Sequence, residues 1–244
     1  MKTFSITDIG QKRSMNQDCI FSSEKPVGNL PNLFIVADGM GGHKAGDYAS
    51  QCAVKTIVDS VTASKKDDAK ELFNDAIYEA NRNIILKAKE DEAYEGMGTT
   101  IVACSVFEDR MLVANVGDSR LYVINKDIKQ ITTDHSLVEE MVKRGEVDRL
   151  SAREHPDKHI ITRAVGVSSS LEVDFFNVKI KKKDNIILCS DGLSNMVDDR
   201  DIRQIVLTQR DVAEKAEKLI ETANRNGGLD NISVIVIDPY ADEV

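Results

Sequence analysis

Short apolar runs separated by polar or glycine-rich breaks dominate the start of the chain. Apolar and β-branched residues favour strands at residues 4–9, 19–22 and 33–37, each closed by a polar residue or glycine. From residue 45 the spacing changes, because apolar side chains recur every three or four positions over 45–63 and 68–89. This spacing predicts a pair of amphipathic helices.

The middle of the chain returns to strands. We predict them at 99–106, 111–116 and 121–125, and the links between them are too short for crossover helices, which indicates an antiparallel meander. Residues 136–143 have helical spacing. Residues 145–170 are charged and irregular, and a long irregular insert within a compact domain is usually functional or mobile.

The last part of the chain mixes strands with a second helical pair. Strands are predicted at 173–180, 185–189 and 232–238, and helices at 198–207 and 212–224. Strands and helical pairs without steady β-α-β alternation favour an α+β fold in which helical pairs cover antiparallel sheets. The 244 residues contain no internal repeat and no low-complexity linker, so we expect one domain spanning 1–244.

Composition narrows the class of protein. With 41% hydrophobic and 30% charged residues, the chain is typical of a globular protein and unlike a coiled coil or a disordered segment. The 41 acidic and 32 basic residues give a net charge of −9, which argues against nucleic acid or an anionic membrane as the main partner. No apolar run reaches the roughly 20 residues that span a bilayer, and the first residues begin a strand pattern. We expect a soluble, cytoplasmic protein without membrane insertion.

The cysteines and histidines do not form a metal-binding motif. Cys19, Cys52, Cys104 and Cys189 stand singly in apolar surroundings, which predicts reduced side chains packed in the core. The four histidines are not spaced as a structural zinc site requires. The candidate chemistry therefore depends on other residues.

Four aspartates stand at the ends of apolar strands. Asp38, Asp118 and Asp191 each follow a predicted strand, and Asp230 precedes the last one. Any one of them could be an ordinary turn residue, because Asp-Gly and Gly-Asp are common turn dipeptides. If the four strand ends meet, the carboxylates repel one another unless hard cations lie between them. Oxygen ligands without His or Cys indicate Mg²⁺ or Mn²⁺.

Two further features bear on ligand binding. The three glycines of the motif D-G-M-G-G at residues 38–42 let the backbone approach a bound group, so a main-chain carbonyl could also bind metal; a flexible hairpin is the alternative. No nucleotide P-loop motif is present. Arg13 is the best candidate for phosphate binding because a guanidinium contacts two phosphate oxygens, although a lone arginine is more often a solvated surface charge.

Eight motifs in this order resemble the metal-dependent serine/threonine protein phosphatases of type 2C, the PPM family, and the compact length resembles its bacterial branch. The resemblance implies a four-layer α-β-β-α sandwich, with two central antiparallel sheets flanked by pairs of helices. It implies hydrolysis of phosphoserine or phosphothreonine by a water that two metal ions activate, without a covalent intermediate. The motifs are Arg13-x-x-Asn16-Gln17-Asp18, Asp38-Gly39-Met40-Gly41-Gly42, Gly98-Thr99-Thr100, Gly117-Asp118-Ser119-Arg120, Asp134-His135-Ser136, Ile161-Thr162-Arg163-Ala164-Val165-Gly166, Ser190-Asp191-Gly192 and Gly228-Leu229-Asp230-Asn231.

The resemblance also implies a set of metal ligands. Asp38 would bridge two Mn²⁺ or Mg²⁺ ions, and the Gly39 carbonyl would bind one of them. Asp191 and Asp230 would bind the other. Asp118, together with Asp191, resembles the ligand set of a third, weaker ion in bacterial relatives.

Other matching residues would support catalysis or substrate binding. Arg13 corresponds to the phosphate-binding arginine, and Asp18 would hold waters bound to the metal ions. Asn231 matches the asparagine that follows the last ligand. Residues 145–170 correspond to a mobile flap beside the site, and we use the word flap for these residues below.

Two positions depart from the pattern of human-type members, which have Glu at position 17 and His at position 40. This chain has Gln17 and Met40, and methionine cannot donate a proton. The histidine is the proposed general acid for the leaving group. Here either a metal-bound water protonates the leaving alkoxide, or His43 reaches into the site. An exposed position for His43 is the alternative.

Two other functions stay open from the residues alone. One is a metal-dependent hydrolase of small phosphate esters, and the other is a catalytically weak module that binds phosphoproteins. Loss of ligand aspartates would mark such a module, and all four aspartates are present. The resemblance implies phosphoprotein partners, including a cognate serine/threonine kinase and its substrates, and we expect a monomer.

Overall fold

The computed structural model describes residues 1–42 and 44–241, and in these residues two antiparallel sheets lie face to face between helices. The strands are β1 (Lys2–Asp8), β2 (Asp18–Ser23), β3 (Leu33–Met40), β4 (Gly98–Thr99), β5 (Ile101–Val106), β6 (Arg110–Val116), β7 (Arg120–Ile124), β8 (Ile128–Gln130), β9 (Asp174–Lys179), β10 (Asn185–Cys189) and β11 (Ile232–Asp238). The helices are α1 (Ala45–Ala63), α2 (Ala69–Glu90), α3 (Leu137–Lys143), α4 (Arg149–Glu154), α5 (Asp191–Ser194), α6 (Asp199–Thr208) and α7 (Val212–Arg225).

The two sheets are the inner layers of a sandwich. One sheet has the strand order β1-β11-β10-β7-β8, and the other has the order β2-β3-β5-β6-β9, with β4 paired to β3. Helices α1 and α2 cover the second sheet, and α6 and α7 cover the first. The predicted α+β class and four-layer α-β-β-α arrangement are confirmed.

Strand β3 shows how a central strand is packed on both faces. Its side chains point alternately to the two sides of the sheet. Leu33 and Ile35 pack in the cluster with α1 and α2, and Phe34 and Val36 pack in the cluster between the sheets. All four are fully buried, and burial of a side chain of this size contributes about 2 kcal/mol. The strand that leads to Asp38 is therefore firmly anchored.

Side-chain caps fix where the covering helices begin. The Asp68 carboxylate accepts a hydrogen bond from the Glu71 amide at 2.9 Å at the start of α2. Asp211 accepts from the amides of Ala213 and Glu214 at the start of α7, both at 2.9 Å. These caps satisfy amides that have no partner within their own helix.

The predicted meander is wrong at its third strand. Strands β5 and β6 pair as expected, but β7 joins the other sheet, between β10 and β8. The chain crosses between the sheets at Gly117, whose φ of +105° favours glycine, and a side chain there would overlap Thr100. Apolar spacing is the same for a strand of either sheet, so the pattern could not show the crossing. The crossing places Asp118 between the two sheets.

Short elements account for most other differences from the prediction. Strand β8 and helices α4 and α5 have three to six residues, which is too short for a periodic pattern. Helix α4 lies within the flap, which the sequence predicts to be irregular throughout. The strand predicted at 99–106 is divided by Thr100 into β4 and β5.

Two predictions about the core and the surface can be compared directly with the structure. All four cysteines are free; Cys104 and Cys189 are buried, whereas Cys19 and Cys52 are only partly buried against the core. Burial raises the pKa of Cys189 to about 12. This thiol is therefore protonated and unreactive at neutral pH. Among the described residues, no helix is both long and apolar enough to span a bilayer.

Candidate active site

Five aspartates meet at one end of the two sheets. Asp38 lies near the end of β3, and the register of β2 against β3 places Asp18 directly opposite it. Asp191 begins α5 immediately after β10, and Asp230 precedes β11. Asp118 lies at the crossing between β6 and β7. The strand ends thus converge, with Asp18 as the fifth carboxylate.

A cavity of about 440 Å³ opens among these carboxylates. The aspartates that stand at the strand ends line it together with Arg13 and Met40. Lys158 and His159 reach it from the flap. A second cavity of about 260 Å³ lies beside the first, and Asp118 and Asp191 line both. The core therefore supplies negative charge, and Arg13 and the flap supply groups that can bind an anion.

Burial makes the ionised forms of these carboxyls costly. Loss of water raises the pKa of Asp38 well above its usual range, and the nearby Asp18 and Asp191 carboxylates raise it further. Burial also raises the pKa of Asp118 and Asp191. It raises the pKa of Asp18 to about 7. Carboxylates that are buried and crowded in this way require either protons or cations.

Two buried carboxylate oxygens lack hydrogen-bond partners within the described part of the chain. Asp18 accepts a hydrogen bond from Ser190 Oγ at Oδ2, at 2.7 Å, but its Oδ1 has none. Asp191 accepts from Asn195 Nδ2 at Oδ2, at 2.8 Å, and its Oδ1 also has none. An unsatisfied buried oxygen is costly unless another group binds it. Hard cations that prefer oxygen ligands fit both positions.

The carboxylates of the cavity suit a metal ion by their donor type and their burial, but they do not form a complete set of ligands. Across residues 1–42 and 44–241, no three acidic, histidine or cysteine side chains form a ready cluster. The Asp230 carboxylate is instead engaged by Arg13, with 2.6 Å between Nη2 and Oδ2, and it accepts the Asn231 amide at Oδ1. The guanidinium supplies positive charge to a carboxylate that the sequence predicts to bind metal. Metal binding at Asp230 would require this pair to loosen.

Arg13 lies at the rim of the cavity, with half of its side chain exposed. The hydrogen bond to Asp230 is the main cause that raises the pKa of Arg13. The side chain thus has both the position and the permanent charge expected of a phosphate-binding group.

Asn231 has a bridging role that the sequence does not reveal. Its Nδ2 donates to the carbonyls of Ile9 and Met15, both at 2.9 Å, and its Oδ1 accepts the Gln17 amide at 2.8 Å. These bonds tie the loop that carries Arg13 to the start of β11. The side-chain amide of Asn231 therefore positions this loop.

Gly39 is placed where no side chain would fit. A Cβ at this position would overlap the carbonyl of Gly46 in the first turn of α1. The Gly39 amide donates to the Gln17 carbonyl at 3.1 Å. The backbone of residue 39 therefore passes tightly between α1 and the Arg13 loop, and Gly39 lines the cavity.

The sequence does not predict some of the residues that line the cavity. Lys158 and His159 line the cavity, although their positions in a charged segment give no signal that they fold back onto the carboxylates. Asn195 is missed because α5 is too short to be predicted. Met40 lines the cavity as its place in the motif suggests. His43, the proposed alternative proton donor, lies outside the described residues.

A sandwich that gathers carboxylates and an arginine at its sheet ends defines a class of protein, the metal-dependent hydrolases that act on phosphate esters. The family model for protein phosphatase 2C matches residues 10–232. The chain belongs to the protein phosphatase 2C family, a class of metal-dependent hydrolases. The predicted family is confirmed.

Relatives support this assignment along the whole chain. A serine/threonine phosphatase, stp, of Listeria monocytogenes is 40% identical over 239 residues, covering 95% of this chain and 93% of the relative. A solved structure of the S. agalactiae serine/threonine phosphatase is similar with a TM-score of 0.89 and 37% identity, covering 96% and 98% of the two chains. The catalytic domain of the phosphatase PstP, solved in complex with two manganese ions, has a TM-score of 0.85 and 31% identity, with 97% of each chain covered.

Proposed function

We propose that the chain is a protein phosphatase that hydrolyses phosphoserine and phosphothreonine in other proteins. One observation carries the proposal, namely the convergence of Asp38, Asp191 and Asp230 with Arg13 in one cavity. The names of the relatives support the substrate class, because both the Listeria and the S. agalactiae proteins are serine/threonine phosphatases.

In this proposal Asp38 would bind two Mn²⁺ or Mg²⁺ ions, sharing the first with the Gly39 carbonyl and the second with Asp191 and Asp230. Asp118, with Asp191, would hold a third and weaker ion, because few protein ligands mean weak binding. When bound, the ions supply a nucleophile from water at neutral pH and stabilise charge on the phosphoryl oxygens.

Arg13 binds and orients the phosphate in this scheme. Its guanidinium can contact two phosphate oxygens, and an anionic substrate competes for it with Asp230, which it contacts in the structure. Release of Asp230 from Arg13 would then free that carboxylate for metal. Asp18 would hold waters bound to the metal ions, since Ser190 Oγ donates to its Oδ2 and its Oδ1 has no partner among the described residues.

No covalent phosphoenzyme is required. Among the described residues that line the cavity there is no cysteine, and Cys189, which ends β10 just before Asp191, is fully buried. Met40 cannot donate a proton to the leaving oxygen. His159 and Lys158 are the cavity residues of the flap that can carry one.

The properties of the flap favour a protein substrate over a small phosphate ester. Residues 145–160 are mostly exposed, and a second cavity adjoins the catalytic one beneath them. We infer a single catalytic domain spanning 1–244 in which this flap moves, a monomer, and a cognate serine/threonine kinase with its substrates as partners in the cytoplasm. The adjoining cavity offers room for residues that flank a phosphorylated side chain.

Hydrolysis of phosphoserine and phosphothreonine peptides tests the proposal. Turnover should require added Mn²⁺ or Mg²⁺ and should disappear in excess chelator. An aryl phosphate and ATP at matched concentrations are the comparison substrates. A higher kcat/KM on ATP would favour the small-ester hydrolase, and tight peptide binding without turnover would favour the binding module.

Arg13→Ala tests phosphate capture within the same assay. KM should rise about tenfold with a smaller change in kcat, because a charge-assisted contact contributes on the order of 1.5 kcal/mol. Lys12→Ala is the matched control, since Lys12 is the exposed neighbouring cation. Equal effects of the two substitutions would contradict the role of Arg13.

A further inference from the structure

The segment Asp134–Ser136 lies between the turn that carries Asp118 and residues 160–163 of the flap. It precedes α3, and its Ser136 caps that helix by accepting the Glu139 amide at 3.2 Å. Asp134 lines the smaller cavity but not the catalytic one, and His135 lines neither. His135 is nevertheless buried. A polar side chain held in the interior requires partners, and these partners connect two parts of the site.

One set of partners fixes the turn before Asp118. The His135 amide donates to the Gly117 carbonyl, and the Gly117 amide donates to His135 Nδ1, both at 3.0 Å. Asn115 Nδ2 contacts the same carbonyl at 3.3 Å. The peptide groups on both sides of Gly117 are thus held, at a residue whose positive φ sets the direction of the chain. The backbone orientation of Asp118 follows from these bonds.

A second set fixes the residues after Asp118. The Arg120 guanidinium donates to both carboxylate oxygens of Asp134, at 2.6 to 3.0 Å. Its Nη1 also donates to Tyr122 Oη at 2.9 Å. Bidentate pairs of this kind are strong and directional. Asp118 is therefore held from both sides by adjacent residues of one short segment.

The same segment and the first residue of α3 hold residues 160–163 of the flap. The Thr162 amide donates to the His135 carbonyl at 2.8 Å, and the Leu137 amide donates to the Ile160 carbonyl at 2.8 Å. Because Nδ1 of His135 accepts the Gly117 amide, we assign the proton to Nε2, which then donates to Asp174 of β9 at 3.1 Å. Nη1 of Arg163 lies 3.1 Å from the same nitrogen. Arg163 of the flap donates to the other oxygen of Asp174 at 2.8 Å.

We propose that Asp134 and His135 are positioning residues that hold both Asp118 and residues 160–163 of the flap in place. The imidazole joins the two through its opposite nitrogens, with Nδ1 on the Asp118 turn and Nε2 on the flap side. The proposal rests on the role in metal binding proposed above for Asp118. It assigns a role to the motif Asp134-His135-Ser136 and to Arg120 of Gly117-Asp118-Ser119-Arg120, which the catalytic scheme leaves without one.

Two substitutions of His135 separate its contact with Gly117 from its contact with Asp174. In His135→Asn the amide oxygen can replace Nδ1, so the bond to Gly117 is kept and the bond to Asp174 is lost. In His135→Gln the amide reaches the position of Nε2, so the Asp174 contact is kept and the Gly117 acceptor is lost. Gln204→Asn is the control, because Gln204 is exposed on α6 and lines neither cavity.

We expect opposite signatures from the two variants. His135→Gln should speed hydrogen exchange at the Gly117 amide and raise the Mn²⁺ concentration for half-maximal turnover about fivefold, the equivalent of one hydrogen bond. His135→Asn should keep Gly117 protected and the Mn²⁺ dependence unchanged, while KM for a phosphopeptide rises. Equal loss of thermal stability in both variants, with Gly117 exchange and Mn²⁺ dependence unchanged, would show that His135 is only a packing residue and overturn the proposal.

A double-mutant cycle connects His135 to Asp118. In an Asp118→Asn background, His135→Gln should cause no further change in Mn²⁺ dependence if it acts through Asp118. Additive effects would overturn that connection. If Asp118→Asn alone left turnover and Mn²⁺ dependence intact, the metal-binding role proposed for Asp118 would fail, whereas Gly117 exchange in His135→Gln would still decide whether His135 positions the turn.

Discussion

The carboxylates of the cavity and the flap that borders it differ in how the fold holds them. Asp38, Asp191 and Asp230 each adjoin a strand whose side chains are almost fully buried, namely β3, β10 and β11. The flap instead has an exposed helix, α4, with Leu150 largely in solvent. Helix α4 is attached through its arginines: Arg149 pairs with Glu139, and Arg153 pairs with Asp198.

We infer that this difference separates the residues that serve catalysis from those that serve recognition of the protein substrate. Groups that must hold cations at fixed distances benefit from rigid strand ends, because small displacements are costly in catalysis. A surface that must admit different proteins benefits from weak, exposed attachments that open at low cost. We therefore expect substitutions among the carboxylates to change turnover on every substrate, and substitutions in the flap to discriminate between substrates.

The largest effect is expected at Asp38. Asp38→Asn should lower kcat by more than about 1000-fold on phosphopeptide and aryl phosphate alike, because the loss of a bridging ligand removes both ions and the electrostatic stabilisation that they supply. Bound metal, counted by calorimetric titration, should fall with activity. Asp59→Asn, on the exposed face of α1, is the control. Ordinary activity in Asp38→Asn would show that this residue is not the bridging ligand.

A smaller effect is expected at Asp118. Asp118→Asn should keep two tightly bound ions and a normal melting temperature while losing most of its turnover, about 100-fold or less, because only the weakest ion depends on it. Metal counting beside phosphopeptide kinetics measures both. Asp127→Asn, in the turn between β7 and β8, controls for turn chemistry. Wild-type kcat in Asp118→Asn would leave Asp118 as a turn residue.

The carboxylates and the flap also differ in how far the sequence predicts them. Asp38, Asp191 and Asp230 could be identified because each adjoins a clear apolar run. Their convergence needs the ends of β10 and β11, which are neighbours in one sheet, to face the end of β3 in the other. The sheet that β7 joins could not be predicted, since the crossing depends on one glycine turn. Lys158 and His159 could not be placed, because the flap is fixed by distant contacts such as the pairing of Val165 with Thr99.

A modest and selective effect is expected in the flap. Arg153 attaches α4 to the core by donating to the Ser194 carbonyl and by its pair with Asp198. Arg153→Ala should raise KM for phosphopeptides about threefold and leave aryl phosphate hydrolysis unchanged, because a partly exposed pair contributes about 0.5 to 1 kcal/mol. Arg144→Ala removes an exposed pair within the α3 region and is the control. Equal losses on both substrates would contradict the separation of chemistry from recognition.

The last expected effect concerns stability rather than turnover, and it is a pH dependence that arises from the buried carboxylates. Burial raises the pKa of Asp18 to about 7 in the folded protein, so between pH 4 and pH 7 the folded state binds more protons than the unfolded state. The free energy of unfolding of metal-free protein should therefore fall as pH rises through this range. Relative to Asp18→Asn, which stays neutral, the melting temperature should drop by on the order of 5 °C between pH 5 and pH 8. Saturating Mn²⁺ should remove the drop, because a bound cation favours the ionised carboxylate and stabilises the native state. A constant difference in melting temperature between the two proteins at every pH, with and without Mn²⁺, would contradict this prediction. It would mean that the pKa of Asp18 is not raised in the folded protein, because water or a positive charge stabilises its ionised form.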